Sequence, residues 1–163
     1  MSHRPGASGK KASRTPDLSR TPDLSRTHLR IGWWSLLLFL SLGLVLEVLH
    51  GFKVGFYLDV SNSTRRLMWT LSHTHGTLFS ILNIVFAISL LHMPSWDGPS
   101  QTLASRCLLG ALVLMPLGFL LGGLFIHGGD PGLGVMLVPP GGILLFVAVL
   151  LTARAAGRST ASR

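Results

Sequence analysis

The stretch Ile31–Phe52 reads IGWWSLLLFLSLGLVLEVLHGF, and it decides the fold class of this chain. It holds no charged residue before Glu47, and roughly 18 or more apolar residues in a row are enough to cross a bilayer. Three further stretches of this kind follow, over about 68–93, 106–127 and 133–153. Because backbone polar groups must be satisfied internally in lipid, the pattern predicts an all-α integral membrane protein with a four-helix transmembrane bundle.

The residues before this stretch have a different character, because they are polar and repetitive. Ser13–Leu18 reads SRTPDL, and Ser19–Leu24 repeats it letter for letter. Such a segment cannot bury enough apolar surface to offset the entropy lost on ordering. We therefore expect a disordered basic tail over 1–30, a transmembrane domain over 31–153 and a second basic tail over 154–163.

The distribution of Lys and Arg predicts the orientation, since cytoplasmic segments beside spans carry an excess of these residues. The N-terminal tail holds seven of them, the C-terminal tail holds three, and the loop between the third and fourth spans holds none. We expect both termini to be cytoplasmic, in a bacterial inner membrane. The net charge of +8 lies in the tails and at membrane boundaries, so the expected partner is the lipid bilayer and not a nucleic acid.

Ionisable residues gather at one end of the predicted bundle. Glu47 and His50 close the first span, His73 opens the second and His127 closes the third. Because chain direction alternates from span to span, we expect these groups near the same, outward-facing membrane surface. Ionisable groups inside a membrane are energetically costly and usually mark function.

Helical spacing indicates which of these residues can face one another and act as ligands of one site. Glu47 and His50 are three residues apart and share one helix face. His73 shares its stripe with small and polar residues, which indicates that it points into the bundle. His75 lies about 200° away from His73 around the helix, on a lipid-like face, and Asp130 is more simply a cap of its turn. His75 and Asp130 therefore rank below Glu47, His50, His73 and His127 as candidate ligands.

The leading hypothesis is a metal or haem centre in a redox or metal-handling protein. Nitrogen and oxygen ligands without thiolate suit Zn, Fe or Cu, and two facing histidines suit a b-type haem. The predicted cofactor-binding residues are His50, His73 and His127, and Glu47 joins them in a metal site. No ligand spacing names a reaction, so catalytic residues are not assigned and the sequence does not decide whether the protein is an enzyme.

Two other functions compete with that hypothesis. A non-catalytic accessory subunit of a larger membrane complex, or a homo-oligomer, would use a seam such as Gly118-x-x-x-Gly122 for close helix packing. Proton or ion transport would use Glu47, His50 and His73 as a relay. The other half of the predicted bundle offers few polar groups to continue that relay.

The fourth stretch contains Val138-Pro139-Pro140-Gly141-Gly142. Proline inside a helix removes a backbone donor and clashes with the preceding turn. We expect a Pro/Gly-broken fourth span, in which Gly132–Val138 is either partly re-entrant near the cluster or a simple proline kink.

Overall fold

The computed structural model describes residues 20–59 and 63–160, with side chains over 23–59 and 63–158. The helices are α1 (Arg20–Gly51), α2 (Gly55–Leu58), α3 (Ser63–His92), α4 (Pro99–Leu124), a 3₁₀ helix (Leu133–Leu137) and α5 (Val138–Thr160). The segments Asp23–Gly51, Ser63–His92, Pro99–Leu124 and Leu133–Arg158 are each long and apolar enough to cross a membrane. The prediction of an all-α integral membrane protein with a four-helix transmembrane bundle is confirmed.

The long helices pack in chain order. α1 packs on α3, α3 on α4, and α4 on α5, while the described residues show no comparable pairing between α1 and α5. α1 therefore packs chiefly on α3 and lies at the edge of the bundle. We call the end that holds Gly51 and Ser63 the His50 end, and the opposite end, where α3 finishes, the His92 end.

Glycines allow α1 and α3 to approach closely. A Cβ atom at Gly32 would lie 2.7 Å from Ile84 Cγ1 and 3.0 Å from the Ser80 carbonyl oxygen. At Gly76 a Cβ would run into the ring of Phe39. Small residues at such contacts let helix backbones approach in membranes, where packing replaces the hydrophobic effect as the driving force. The two helices are thereby held in a fixed register.

The first helix begins at Arg20, and not at Ile31 as the sequence predicted. For the residues from Arg20 to Arg30, the sequence predicts a disordered tail because they are polar and repetitive. Ser25 and His28 are instead buried in this part of α1, where α3 and α4 supply hydrogen-bonding partners that a tail would find only in water. The predicted disorder of residues 1–19 lies outside the described residues.

The fourth span is not kinked at its prolines. The 3₁₀ helix Leu133–Leu137 leads directly into α5, and Pro139 and Pro140 occupy the first turn of α5. Backbone N–H groups of a first turn have no partner inside their own helix, so proline costs little there. α5 continues to Thr160, beyond the predicted end of the span at Ala153. The predicted Pro/Gly interruption of the fourth span is therefore the start of α5.

The 3₁₀ helix packs against the predicted glycine seam of α4. A Cβ at Gly118 would lie 3.0 Å from Val138 Cγ2, and one at Gly122 would lie 3.5 Å from Val135 N. The Gly132 N–H also donates to the Gly122 carbonyl oxygen at 2.9 Å. The seam thus serves packing within the chain, and Gly132–Val138 lies on α4, away from the α1 side of the bundle.

Replacing Gly134 with alanine should destabilise this packing. The added Cβ would lie 2.8 Å from the Gly122 backbone nitrogen, and overpacking of this kind costs about 1–3 kcal/mol. Unfolding of the detergent-solubilised protein measures the loss. Gly157→Ala is the matched control, because a Cβ there would meet no described atom within 4 Å. Equal stabilities of the two variants would contradict this account of the seam.

Candidate functional site

A groove opens between α1 and α3 at the His50 end. Its volume is about 660 Å³, and its lining residues are Leu40, Gly43, Leu44, Leu46, Glu47, His50, Tyr57, Thr70 and His73. Three of the predicted site residues, Glu47, His50 and His73, share this groove. Glu47 and His50 are exposed, and His73 is half-buried.

His73 is the anchored member of the groove. Its Nδ1 lies 2.7 Å from the Phe39 carbonyl oxygen. A carbonyl oxygen only accepts hydrogen bonds, so Nδ1 carries a proton, and in the neutral ring Nε2 holds the lone pair. The ring fits against Gly43, where a Cβ would lie 2.7 Å from Nδ1 and 2.9 Å from Nε2. Helix α1 therefore fixes both the position and the tautomer of His73.

The three ionisable groups follow one another along the groove. The His73 ring lies beside Gly43, Glu47 is about one turn further along α1, and His50 is almost one turn beyond Glu47. At 1.5 Å of rise per residue, the backbone of His50 is about 10 Å along the helix axis from that of Gly43. No group of three or more His, Cys, Asp or Glu residues within the described ranges is placed to hold a metal ion.

A short helix covers the His50 end of the groove. α2 places Tyr57 there, 4% exposed, with its ring stacked on Trp69 at 6.2 Å between centroids. Arg65 holds α2 in place, because its Nη1 donates to the Phe56 carbonyl oxygen at 2.9 Å and its guanidinium carbon lies 4.0 Å from the centre of the Phe56 ring. Tyr57 thus forms a rigid part of the groove wall.

The structure does not bring His127 to this groove. α4 ends at Leu124, so His127 lies in the following turn, where it is exposed and exchanges two backbone hydrogen bonds with Asp130. This turn is fixed to the other side of α3, since the Thr64 hydroxyl donates to the Gly129 carbonyl oxygen at 2.6 Å. Neither His127 nor Asp130 lines the groove.

His75 lies between α3 and α4, and the expected lipid-like face is wrong for this residue. Its ring centroid is 4.9 Å from that of Phe119 and 6.0 Å from that of Phe79. Its Nδ1 donates to the Leu71 carbonyl oxygen at 2.9 Å. Two leucines on its stripe, Leu71 and Leu82, pack against the buried cluster that includes Phe119, whereas Leu78 is 48% exposed. Among these contacts, its role is packing.

Polar groups continue from His73 toward the His92 end. Thr77, one turn beyond His73, has a buried hydroxyl oxygen with no hydrogen-bonding partner among the described residues. Ser80 is completely buried, and its hydroxyl donates to the Gly76 carbonyl oxygen at 2.7 Å. A buried hydroxyl without a partner is costly in an apolar environment. A water molecule between the helices would satisfy the Thr77 hydroxyl.

His28 joins three helices deeper in the bundle. It is 0% exposed, with Nδ1 2.7 Å from Asn83 Oδ1 on α3 and Nε2 2.8 Å from Ser105 Oγ on α4. Asn83 Nδ2 donates to the Phe79 carbonyl oxygen at 2.8 Å, which leaves Oδ1 as an acceptor. The network therefore assigns the proton to His28 Nδ1 and makes Nε2 the acceptor of the Ser105 hydroxyl.

The sequence pattern does not single out His28 as a functional candidate, because the residue lies between Arg26 and Arg30 in the predicted tail. A usable signal was present, because Ser25, His28 and Gly32 fall on one helical stripe, at i, i+3 and i+7. Ser25 also faces α3, and its hydroxyl donates to the Ala87 carbonyl oxygen at 3.0 Å. The stripe already predicts that the helix extends before Ile31.

Together these groups form what we call the polar column. Its members are His50, Glu47, His73, Thr77, Ser80, Asn83, His28 and Ser25. Comparison of the chain with protein-family models, curated proteins and solved structures finds no match. The function must therefore be argued from this column.

Proposed function

We propose that the protein moves protons or small cations along the interface of α1 and α3. The observation that supports this proposal is the polar column, in which ionisable and hydroxyl-bearing side chains follow one another from the His50 end into the other half of the bundle. Ionisable residues inside a membrane most often mark ion pathways, proton relays and related sites. The sequence offers the transport hypothesis few polar groups beyond the groove, and the structure adds the buried His28 to them.

The spacing within the column suits a relay. On α3, the steps from His73 to Thr77, from Thr77 to Ser80 and from Ser80 to Asn83 are three or four residues, or about 4.5–6 Å of rise. One water molecule can bridge polar groups at such distances. The antiparallel helix α1 keeps the same register, with Gly43 beside His73 and His28 beside Asn83. The two helices thus bring α1 and α3 groups side by side at the levels of His73 and of Asn83.

The same geometry favours a relay over a single metal centre. A metal site needs several ligands around one point, whereas Glu47, His50 and His73 lie at successive levels of the groove. Zn, Fe or Cu on these residues, and a b-type haem between His50 and His73, stay predictions that compete with the relay. His127 would have to cross α3 to join such a centre. With the orientation predicted from Lys and Arg, the groove faces the outside of a bacterial inner membrane.

The experiment measures ion flux across the membrane of liposomes that contain the purified full-length protein. A pH-sensitive dye reports protons while valinomycin and potassium compensate the charge, and a sodium-sensitive dye reports sodium in parallel. We expect flux of at least one of these ions above that of empty liposomes. The absence of both fluxes would refute the proposal.

The metal content of the protein distinguishes the relay from a metal or haem centre. Elemental analysis and the visible absorption spectrum of the same preparation should show no stoichiometric metal and no haem. A haem band or one metal ion per chain would favour the redox or metal-handling function. A stoichiometric protein partner in a preparation without flux would favour the accessory subunit.

A further inference from the structure

We propose that the transported ion is the proton, and that His28 is the group that carries it past the fully buried level of the polar column, where His28 meets Asn83. This inference rests on the proposed function and specifies its ion. It starts from the one histidine of the described residues that is completely buried.

The surroundings of His28 exclude a metal cation. The ring is enclosed by Asn83, Ser105 and Phe86, whose ring centroid lies 4.7 Å away in an edge-on contact. A cation that sheds its water needs several oxygen ligands in exchange, as in channel filters built from rings of carbonyl groups. Among the described residues, the hydrogen-bonding partners of the ring are one amide oxygen and one hydroxyl, and both are already bonded to the imidazole. These two groups do not form a cage for sodium or potassium.

A proton needs only one lone pair, and His28 has one at Nε2. When a protonated water reaches Ser105, the hydroxyl gives its proton to Nε2 and takes one from that water, so the ring becomes an imidazolium with two N–H groups. The Nδ1–H stays bonded to Asn83 Oδ1, which accepts in both states. The Ser105 hydroxyl turns and accepts from the new N–H. The ring returns to its neutral form when Nε2 gives its proton to the Ser105 hydroxyl, which passes its own proton to a water on the side of the His92 end.

The environment makes the charged state of His28 transient. The side chains in contact with the ring are neutral, so no carboxylate among those contacts holds the imidazolium in place. Ser25, one turn closer to the start of α1 and also buried, is the next hydroxyl of the column. It lies on the same helical stripe as His28 and leads toward the His92 end.

The test uses full-length protein in the liposomes described above and compares His28→Gln with the wild type. Glutamine keeps hydrogen-bonding capacity but cannot be protonated, so proton flux should fall by about a hundredfold, as expected when a positioned proton-transfer group is lost. His92→Gln is the matched control, because His92 is exposed at the end of α3. Its flux should equal that of the wild type.

The outcomes separate this inference from the proposed function. Sodium flux equal to proton flux would overturn the inference and leave the transport proposal standing, whereas the absence of both fluxes would overturn both. Wild-type proton flux in His28→Gln would remove His28 from the path.

Ser105→Ala covers the case in which His28→Gln does not fold. It keeps the imidazole and its bond to Asn83, and it removes only the hydroxyl at Nε2. We expect about a tenfold lower proton flux, and a lower wild-type flux in deuterium oxide than in water. Unchanged flux in Ser105→Ala would contradict the route through Nε2.

Discussion

Gly43→Ala should abolish most ion flux and destabilise the protein, although it adds a single methyl group. The new Cβ would lie 2.7 Å from His73 Nδ1 and 2.9 Å from Nε2. The ring would have to leave its position and break the hydrogen bond to the Phe39 carbonyl oxygen. We expect a loss of about 1–3 kcal/mol in the free energy of unfolding, as for other overpacked sites, and at least about a tenfold loss of flux from the displaced imidazole.

The control for this variant is Gly51→Ala. Gly51 lies on the same helix, and a Cβ there would meet no described atom within 4 Å. Unfolding in detergent and flux in liposomes should both resemble the wild type. If Gly43→Ala also resembles the wild type in both measurements, the ring of His73 is not anchored between α1 and α3, and the column loses its third member.

Glu47→Gln should reduce ion flux by about a hundredfold, because it removes a positioned proton acceptor. Glu47 is the one carboxylate among the residues that line the groove, and it lies between His50 and His73. The side chain is exposed and glutamine has nearly the same shape, so stability should not change. The flux assay in liposomes, with the unfolding transition as a check on folding, measures the effect.

Asp130→Asn is the matched control for the carboxylate. Asp130 is exposed in the turn after α4 and does not line the groove, so its substitution should leave flux at the wild-type value. A normal flux in Glu47→Gln would show that ions reach His73 without the carboxylate. A metal centre would instead appear as a fall in metal content in Glu47→Gln.

The fold class could be predicted from the sequence because the bilayer sets the length of each apolar run. The shared groove of Glu47, His50 and His73 could also be predicted, since three-residue spacing and antiparallel helices decide it. The absence of His127 from the groove could not be predicted from the sequence. That outcome depends on α3 lying between α1 and α4, and hydrophobicity does not specify which helices are neighbours.

His28 was missed for a different physical reason. A polar residue near a repeat resembles a solvated tail until its partners are known, and those partners lie on two other helices, at Asn83 and Ser105. Burial of a polar side chain is a property of the assembled bundle. The start of α5 at Val138 is also a property of the assembled bundle, because the cost of Pro139 depends on whether its turn is the first or an inner one.

The position of α1 at the edge of the bundle makes the bilayer part of the groove. Leu40 and Leu44 line it and are 51% and 67% exposed, so in a membrane acyl chains can reach both side chains. The lipid tails then close the side that no helix covers. The length and saturation of those tails should therefore alter how much water the groove admits.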